Sequence, residues 1–209
     1  MKNLRKILMI VAIAMFAFAC SKNDGNSPNN PSGGGSGEND TLNNITFEFL
    51  KVGHLWVSEV SQYDSKGELT ASYYGTTQID TVEPYGDGIG YFSRITSAVI
   101  NLEWFENADY LSMHVDTEPF LYKNNIYKGR KWNYQTTNSN AIYYYEILSI
   151  NEDIIVPAGT FSCIKIKMTH SYDAEGETIY YVNSKYGLIC IEDKSGGAMT
   201  IGRLFSKNF

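Results

Sequence analysis

Hydrophobic and polar positions divide this chain into three stretches of different texture. Ile7 to Ala19 form an unbroken apolar run of thirteen residues, headed by Lys2, Arg5 and Lys6. Residues 21–44 hold almost no apolar side chains and are dominated by Asn, Ser, Pro and Gly. From about Ile45 the pattern turns to alternation. In His54-Leu-Trp-Val-Ser-Glu-Val-Ser-Gln-Tyr63, Trp56 falls on one face of a strand and Leu55 and Val57 on the other. Ile164, Ile166 and Met168 alternate in the same way with Cys163, Lys165 and Lys167. Ile179–Val182 and Leu188–Ile191 are denser runs, as expected of strands covered on both faces. No window carries a sustained 3.6-residue apolar period, so the pattern predicts strands and little helix.

Turn chemistry agrees with this. Tyr63-Asp-Ser-Lys-Gly-Glu68 and Tyr172-Asp-Ala-Glu-Gly-Glu177 are near copies, each between β-rich runs. An aspartate can brace such a turn, and a glycine supplies the positive φ that closes a short hairpin loop. Asn183-Ser-Lys-Tyr-Gly187 and Lys194-Ser-Gly-Gly197 read as further hairpin turns. The predicted fold is an all-β antiparallel meander of some eight to ten strands, twisted and curled into a half-barrel or barrel.

The first two stretches concern address. Residues 1–19 have the basic head, apolar core and small-residue end of a secretory signal. Thirteen apolar residues fall short of the roughly 20 that a membrane-spanning helix needs. Cys20, directly after Ala19, resembles the lipobox of bacterial lipoproteins, and that resemblance implies a diacylglycerol on the Cys20 sulfur and cleavage just before it. The domain plan is then a signal peptide over 1–19, a lipidated cysteine and flexible tether over 20–44, and a single β domain over 45–209. Such a tether reaches on the order of 25–30 Å. Lys22–Asp24 resembles the short acidic export signals of surface lipoproteins in Bacteroidota. The expected location is the outer membrane, lipid-anchored, on its periplasmic face or at the cell surface.

Loss of Lys2, Arg5 and Lys6 with the signal leaves 14 basic residues against 23 acidic ones and moves the formal charge from −6 to about −9. An acidic surface repels phosphate backbones, so nucleic acid is not an expected partner. Membrane attachment therefore rests on acyl chains alone. With Cys20 acylated, Cys163 and Cys190 remain, either as a disulfide or as two buried thiols.

Candidate chemistry is sparse. His54, His114 and His170 stand apart, without metal-ligand spacing. The acidic pairs Glu103/Glu106, Glu152/Asp153 and Glu192/Asp193 have no spacing that sets two carboxylates across a cleft. No cofactor, metal or enzymatic activity is expected. Aromatic side chains are the one surplus, because all sixteen tyrosines and all three tryptophans lie within 45–209. Tyr73-Tyr74, Tyr143-Tyr144-Tyr145 and Tyr180-Tyr181 place rings on both faces of their strands. Such rings either stabilise the sheet through cross-strand pairs or form a groove for sugar rings or acyl chains.

Gly129-x-x-Trp132, Val156-Pro-Ala-Gly-Thr-Phe161 and Tyr180-Tyr-Val-Asn-Ser-Lys-Tyr-Gly-Leu-Ile189 together resemble a family of bacterial envelope β-proteins of unknown function. Its members are similar to half-barrel carriers of lipoproteins, whose concave face shelters acyl chains. The resemblance implies a non-enzymatic envelope lipoprotein whose curved sheet binds a lipid, an acyl chain or an envelope partner protein. The expected lining is Ile164, Ile166 and Met168, with Tyr143, Tyr145 and Trp104 as aromatic candidates. The alternative is a surface glycan-binding module of a polysaccharide-uptake system, built on exposed rings.

Overall fold

A computed structural model of this chain describes residues 40–95, 103–113, 120–136 and 140–209. The expected signal peptide, Cys20, the expected tether up to residue 39 and His114 lie outside the described residues. Twelve strands run in chain order: β1 (Leu55–Tyr63), β2 (Leu69–Tyr85), β3 (Gly88–Ile95), β4 (Trp104–Glu106), β5 (Tyr110–Ser112), β6 (Leu121–Tyr122), β7 (Lys131–Gln135), β8 (Ile142–Val156), β9 (Gly159–His170), β10 (Asp173–Asn183), β11 (Gly187–Ser195) and β12 (Ala198–Lys207). They form one antiparallel sheet in the order β6-β5-β4-β3-β2-β1-β12-β11-β10-β9-β8-β7. The all-β curled meander expected from alternation is the observed architecture, with twelve strands rather than eight to ten.

Among the described residues each strand pairs with its sequence neighbours except at β6 and β7, which do not pair, and β12 pairs with β1. The sheet is therefore an up-and-down meander with one open seam. Side chains bridge that seam. Tyr122 of β6 meets Trp132 of β7 edge to face at 5.6 Å, and the Arg130 guanidinium lies 4.2 Å from the Tyr122 ring centroid.

Turn chemistry explains the hairpins individually. In the β1–β2 turn, Asp64 Oδ1 accepts from the backbone N–H of Lys66 at 2.8 Å and of Glu68 at 2.9 Å, and Gly67 has φ of +81°. The near copy at 172–177 closes differently. There β9 and β10 pair from His170 to Asp173, and residues 174–177 bulge out of β10 before pairing resumes at Thr178. Asp173 Oδ1 accepts from Gly176 N–H at 2.9 Å. Gly176 serves a close approach rather than a positive φ, since a Cβ there would run into the Asp173 carboxylate.

Two layers of apolar packing result. On the inner face, Phe49, Trp56, Trp104, Ile147, Ile166 and Ile189 are buried, and Phe49 meets Trp104 edge to face at 5.2 Å. The second layer comes from the β8–β9 hairpin. Register shifts between Ile147 and Ser149 and between Ser149 and Glu152 bend it, so Ala158 N–H reaches the Leu204 carbonyl at 3.2 Å. Bulges of this kind re-aim a strand pair. Ile154, Val156, Phe161 and Cys163 are buried, as are Tyr181 and Cys190, and the bent hairpin brings β8 against β11 and β12. Pro157 and Ala158 form the hairpin tip, and Phe161 meets Tyr186 at 5.4 Å. Cys163 and Cys190 are both free, buried thiols.

The segment leading into β1 acts as a plug. Ile45 N–H donates to the Lys123 carbonyl, Glu48 N–H to Ser184 and Gly53 N–H to Ile79, so the segment crosses one end of the curled sheet. Phe47, Phe49 and Leu50 are buried beneath it. Residues 42–44, assigned by composition to the tether, are docked here. Leu42 bridges Ile126, and Asn43 and Asn44 exchange hydrogen bonds with Asn125 and Asn124. Asparagine side chains satisfy backbone groups that a purely flexible tether would leave to water.

Candidate functional site: the concave face of the sheet

Register and alternation fix which side chains share the inner face. Val60 lies opposite Gly202, Gly202 opposite Ile191, Ile191 opposite Tyr180 and Tyr180 opposite Ile166. One step toward the β1–β2 turn, Gln62, Thr200, Asp193, Thr178 and Met168 repeat the row. The first row is apolar and the second mostly polar. Thr178 donates its hydroxyl to Asp193 Oδ1 at 2.7 Å, which holds the carboxylate against the sheet.

The plug covers one end of this face and leaves the other as a mouth. There an open groove of about 370 Å³ runs between Val60, Gln62, Thr178, Ile191 and Thr200. Beside it lies a smaller cleft of about 90 Å³, between Met113, Phe120, Tyr143, Tyr145 and Met168. Tyr180 lines both, so they are neighbours on the same face. At the rim, Tyr172 is 66% exposed, stacks on His170 at 3.9 Å and lies with its hydroxyl 3.1 Å from that of Tyr143.

The candidates named from sequence separate into two groups. Tyr143, Tyr145 and Met168 converge on the smaller cleft. Ile164, Ile166 and Trp104 are interior side chains at 6%, 0% and 1% exposure, so their contribution is to the packed core. Phe120 and Met113, which carry no signal in the sequence, complete the cleft with Tyr180. Tyr180 had a signal, as half of a flagged tyrosine pair. Phe120 precedes a two-residue strand, too short to show any periodicity.

The acidic side chains are engaged elsewhere. Glu106 binds Lys123 at 2.8 Å and accepts from the Tyr91 hydroxyl at 3.3 Å. Burial and the Glu106 charge push the Tyr91 phenol up to about 12. Burial, then the charge of Asp87, raises Tyr110. Glu152 pairs with Lys165 at 3.2 Å. His54 stacks on Phe209 at 3.9 Å, with Nδ1 3.0 Å from the Phe49 carbonyl oxygen. Among the described residues, no three His, Cys, Asp or Glu side chains gather where they could hold a metal.

No protein-family model and no curated protein match the chain. Among solved structures it is similar to a candidate lipoprotein of Parabacteroides distasonis, at 16% identity and a TM-score of 0.48, covering 78% of this chain and 99% of that one. It is also similar to a candidate exported protein of YmcC-like fold from Bacteroides fragilis, at 15% identity and a TM-score of 0.48, covering 79% of this chain and 100% of that one.

Proposed function

We propose that this protein is a non-enzymatic lipoprotein of the cell envelope, anchored through a lipid on Cys20, whose concave face takes up an amphipathic lipid or acyl chain. The observation that carries the reading is that cleft and groove adjoin at Tyr180 on one inner face, open at the mouth while Phe47, Phe49 and Leu50 fill the opposite end. A cavity of about 150 Å³ is enough for benzene, so the cleft of about 90 Å³ takes only a chain end or a branch. The remaining length lies in the groove beside Val60 and Ile191, with a polar head near Gln62, Thr200 and the Thr178–Asp193 pair. A ligand with one apolar and one hydrogen-bonding end matches that division.

The test is uptake of a fluorescent fatty acid by the exported chain carrying Cys20→Ser. Saturable uptake is expected, with loss of at least tenfold in affinity for Thr200→Trp, which fills the groove without touching the core. Absence of uptake by the parent chain, or uptake unchanged by Thr200→Trp, overturns the assignment of this face.

A further inference from the structure

A second surface, on the opposite side of the sheet from the groove, has a chemistry of its own. Across β7, β8 and β9, Asn133, Tyr144 and Thr169 lie in register, and in the next outward-facing row Lys131, Glu146 and Lys167 do the same. Strand spacing of about 4.8 Å and a rise of about 3.3 Å per residue make this grid roughly 10 Å by 7 Å. Tyr144 at its centre is 45% exposed, and every neighbour in the grid is polar. A shallow depression of about 300 Å³ follows these six side chains, with Trp132 beneath the β7 edge.

We infer that this outer face of β7–β9 is a saccharide-binding platform centred on Tyr144. A pyranose ring presents an apolar C–H face with hydroxyls around its rim. The grid is the complement, with an exposed aromatic ring in the middle, donors and acceptors around it, and the width of one to two sugar rings. A tyrosine suits this role because it couples an apolar ring to a polar tip. Glu146 Oε2 lies 3.5 Å from Lys131 Nζ and 4.0 Å from Lys167 Nζ. Ion pairs this exposed gain little from each other, so a sugar hydroxyl can take the place of either one. The carboxylate then accepts from the hydroxyl and a lysine donates to the neighbouring oxygen. Rows held by strand pairing keep the groups in place before the ligand arrives, which lowers the ordering cost of binding.

The platform stands independently of the concave groove. Affinity electrophoresis of the Cys20→Ser chain through gels cast with xylan, galactomannan, mixed-linkage β-glucan, pullulan or polygalacturonate tests it. Retardation is expected in at least one gel. Tyr144→Ala is expected to raise the apparent dissociation constant there at least tenfold, while Tyr144→Trp keeps binding. Tyr74→Ala, which removes an exposed ring on β2, is expected to migrate like the parent. Fatty-acid uptake should be the same in the parent and Tyr144→Ala, which separates the two faces. Free migration of the parent in every gel, or equal retardation of Tyr144→Ala, overturns the platform.

Discussion

Cys163 and Cys190 lie on β9 and β11 with β10 between them, since Lys165 pairs with Tyr181 and Tyr181 with Cys190. Two strand spacings separate their backbones by about 9–10 Å, beyond the roughly 7 Å that a disulfide can span. An oxidising compartment therefore leaves both thiols free. Burial, then the charge of Asp153, pushes the Cys163 thiol up from 9.0 to about 12. The folded chain thus keeps a proton that the unfolded chain loses more easily. The resulting stabilisation is complete below the unfolded value near 9 and is lost as pH rises toward 12. Urea midpoints measured from pH 8 to 11 should fall more steeply for the parent chain than for Cys163→Ala. A thiol reagent such as dithionitrobenzoate should label neither cysteine until urea unfolds the sheet. Prompt labelling of the native Cys20→Ser chain would contradict the second packing layer.

At the scale of elements, the seam between β6 and β7 rests on few groups. The Arg130 guanidinium lies over the Tyr122 ring at 4.2 Å and donates to the carbonyls of Asn124 and Asn125. Arg130→Ala should cost about 1–3 kcal/mol, from the lost cation–π contact and two charge-assisted hydrogen bonds. Arg130→Lys should recover only part of this, because an ammonium cannot stack as a plane. Denaturant titration gives the magnitude, and faster amide exchange confined to β7 would locate the effect at the seam. Such a contact was not legible in the sequence, whereas the strands at its flanks partly were. Alternation set Trp56 apart from Leu55 and Val57, and Ile164 and Ile166 together on one face, because a period of two survives wherever a strand pairs regularly. The same rule set Cys163 on the face opposite Ile164, and its burial there follows from the register shifts around Ser149 that bend its own β8–β9 hairpin back over β11 and β12. Bulge positions depend on register, and register is a property of two strands together. The two Tyr-Asp-x-x-Gly-Glu copies diverge for this reason, one closing a turn and the other bulging within β10. In the candidate site, the tyrosine pairs were legible as rings. Which ring faces the cleft and which faces outward was settled only by pairing Tyr145 with Met168 and Tyr144 with Thr169.

For the whole molecule, the decisive relation is between the plug and the mouth. Leu42, Asn43 and Asn44 dock on residues 124–126, so the chain enters the domain at the plugged end. The groove and its Tyr172 rim lie at the other end of the sheet. Among the described residues the core runs from Phe47 onward. Acylation and stability should therefore separate cleanly. In cells fed labelled palmitate, the parent chain should incorporate label and sediment with membranes. Two or more acyl chains anchor durably at about 0.8 kcal/mol per buried methylene, and the acidic domain adds no electrostatic attraction to anionic headgroups. Cys20→Ala should take up no label and leave the membrane fraction, yet melt within a degree or so of the delipidated parent. Equal labelling of the two chains would remove the anchor, and with it the envelope address on which the lipid-binding proposal depends. A large loss of melting temperature in Cys20→Ala would instead show that residues ahead of the plug belong to the folded core.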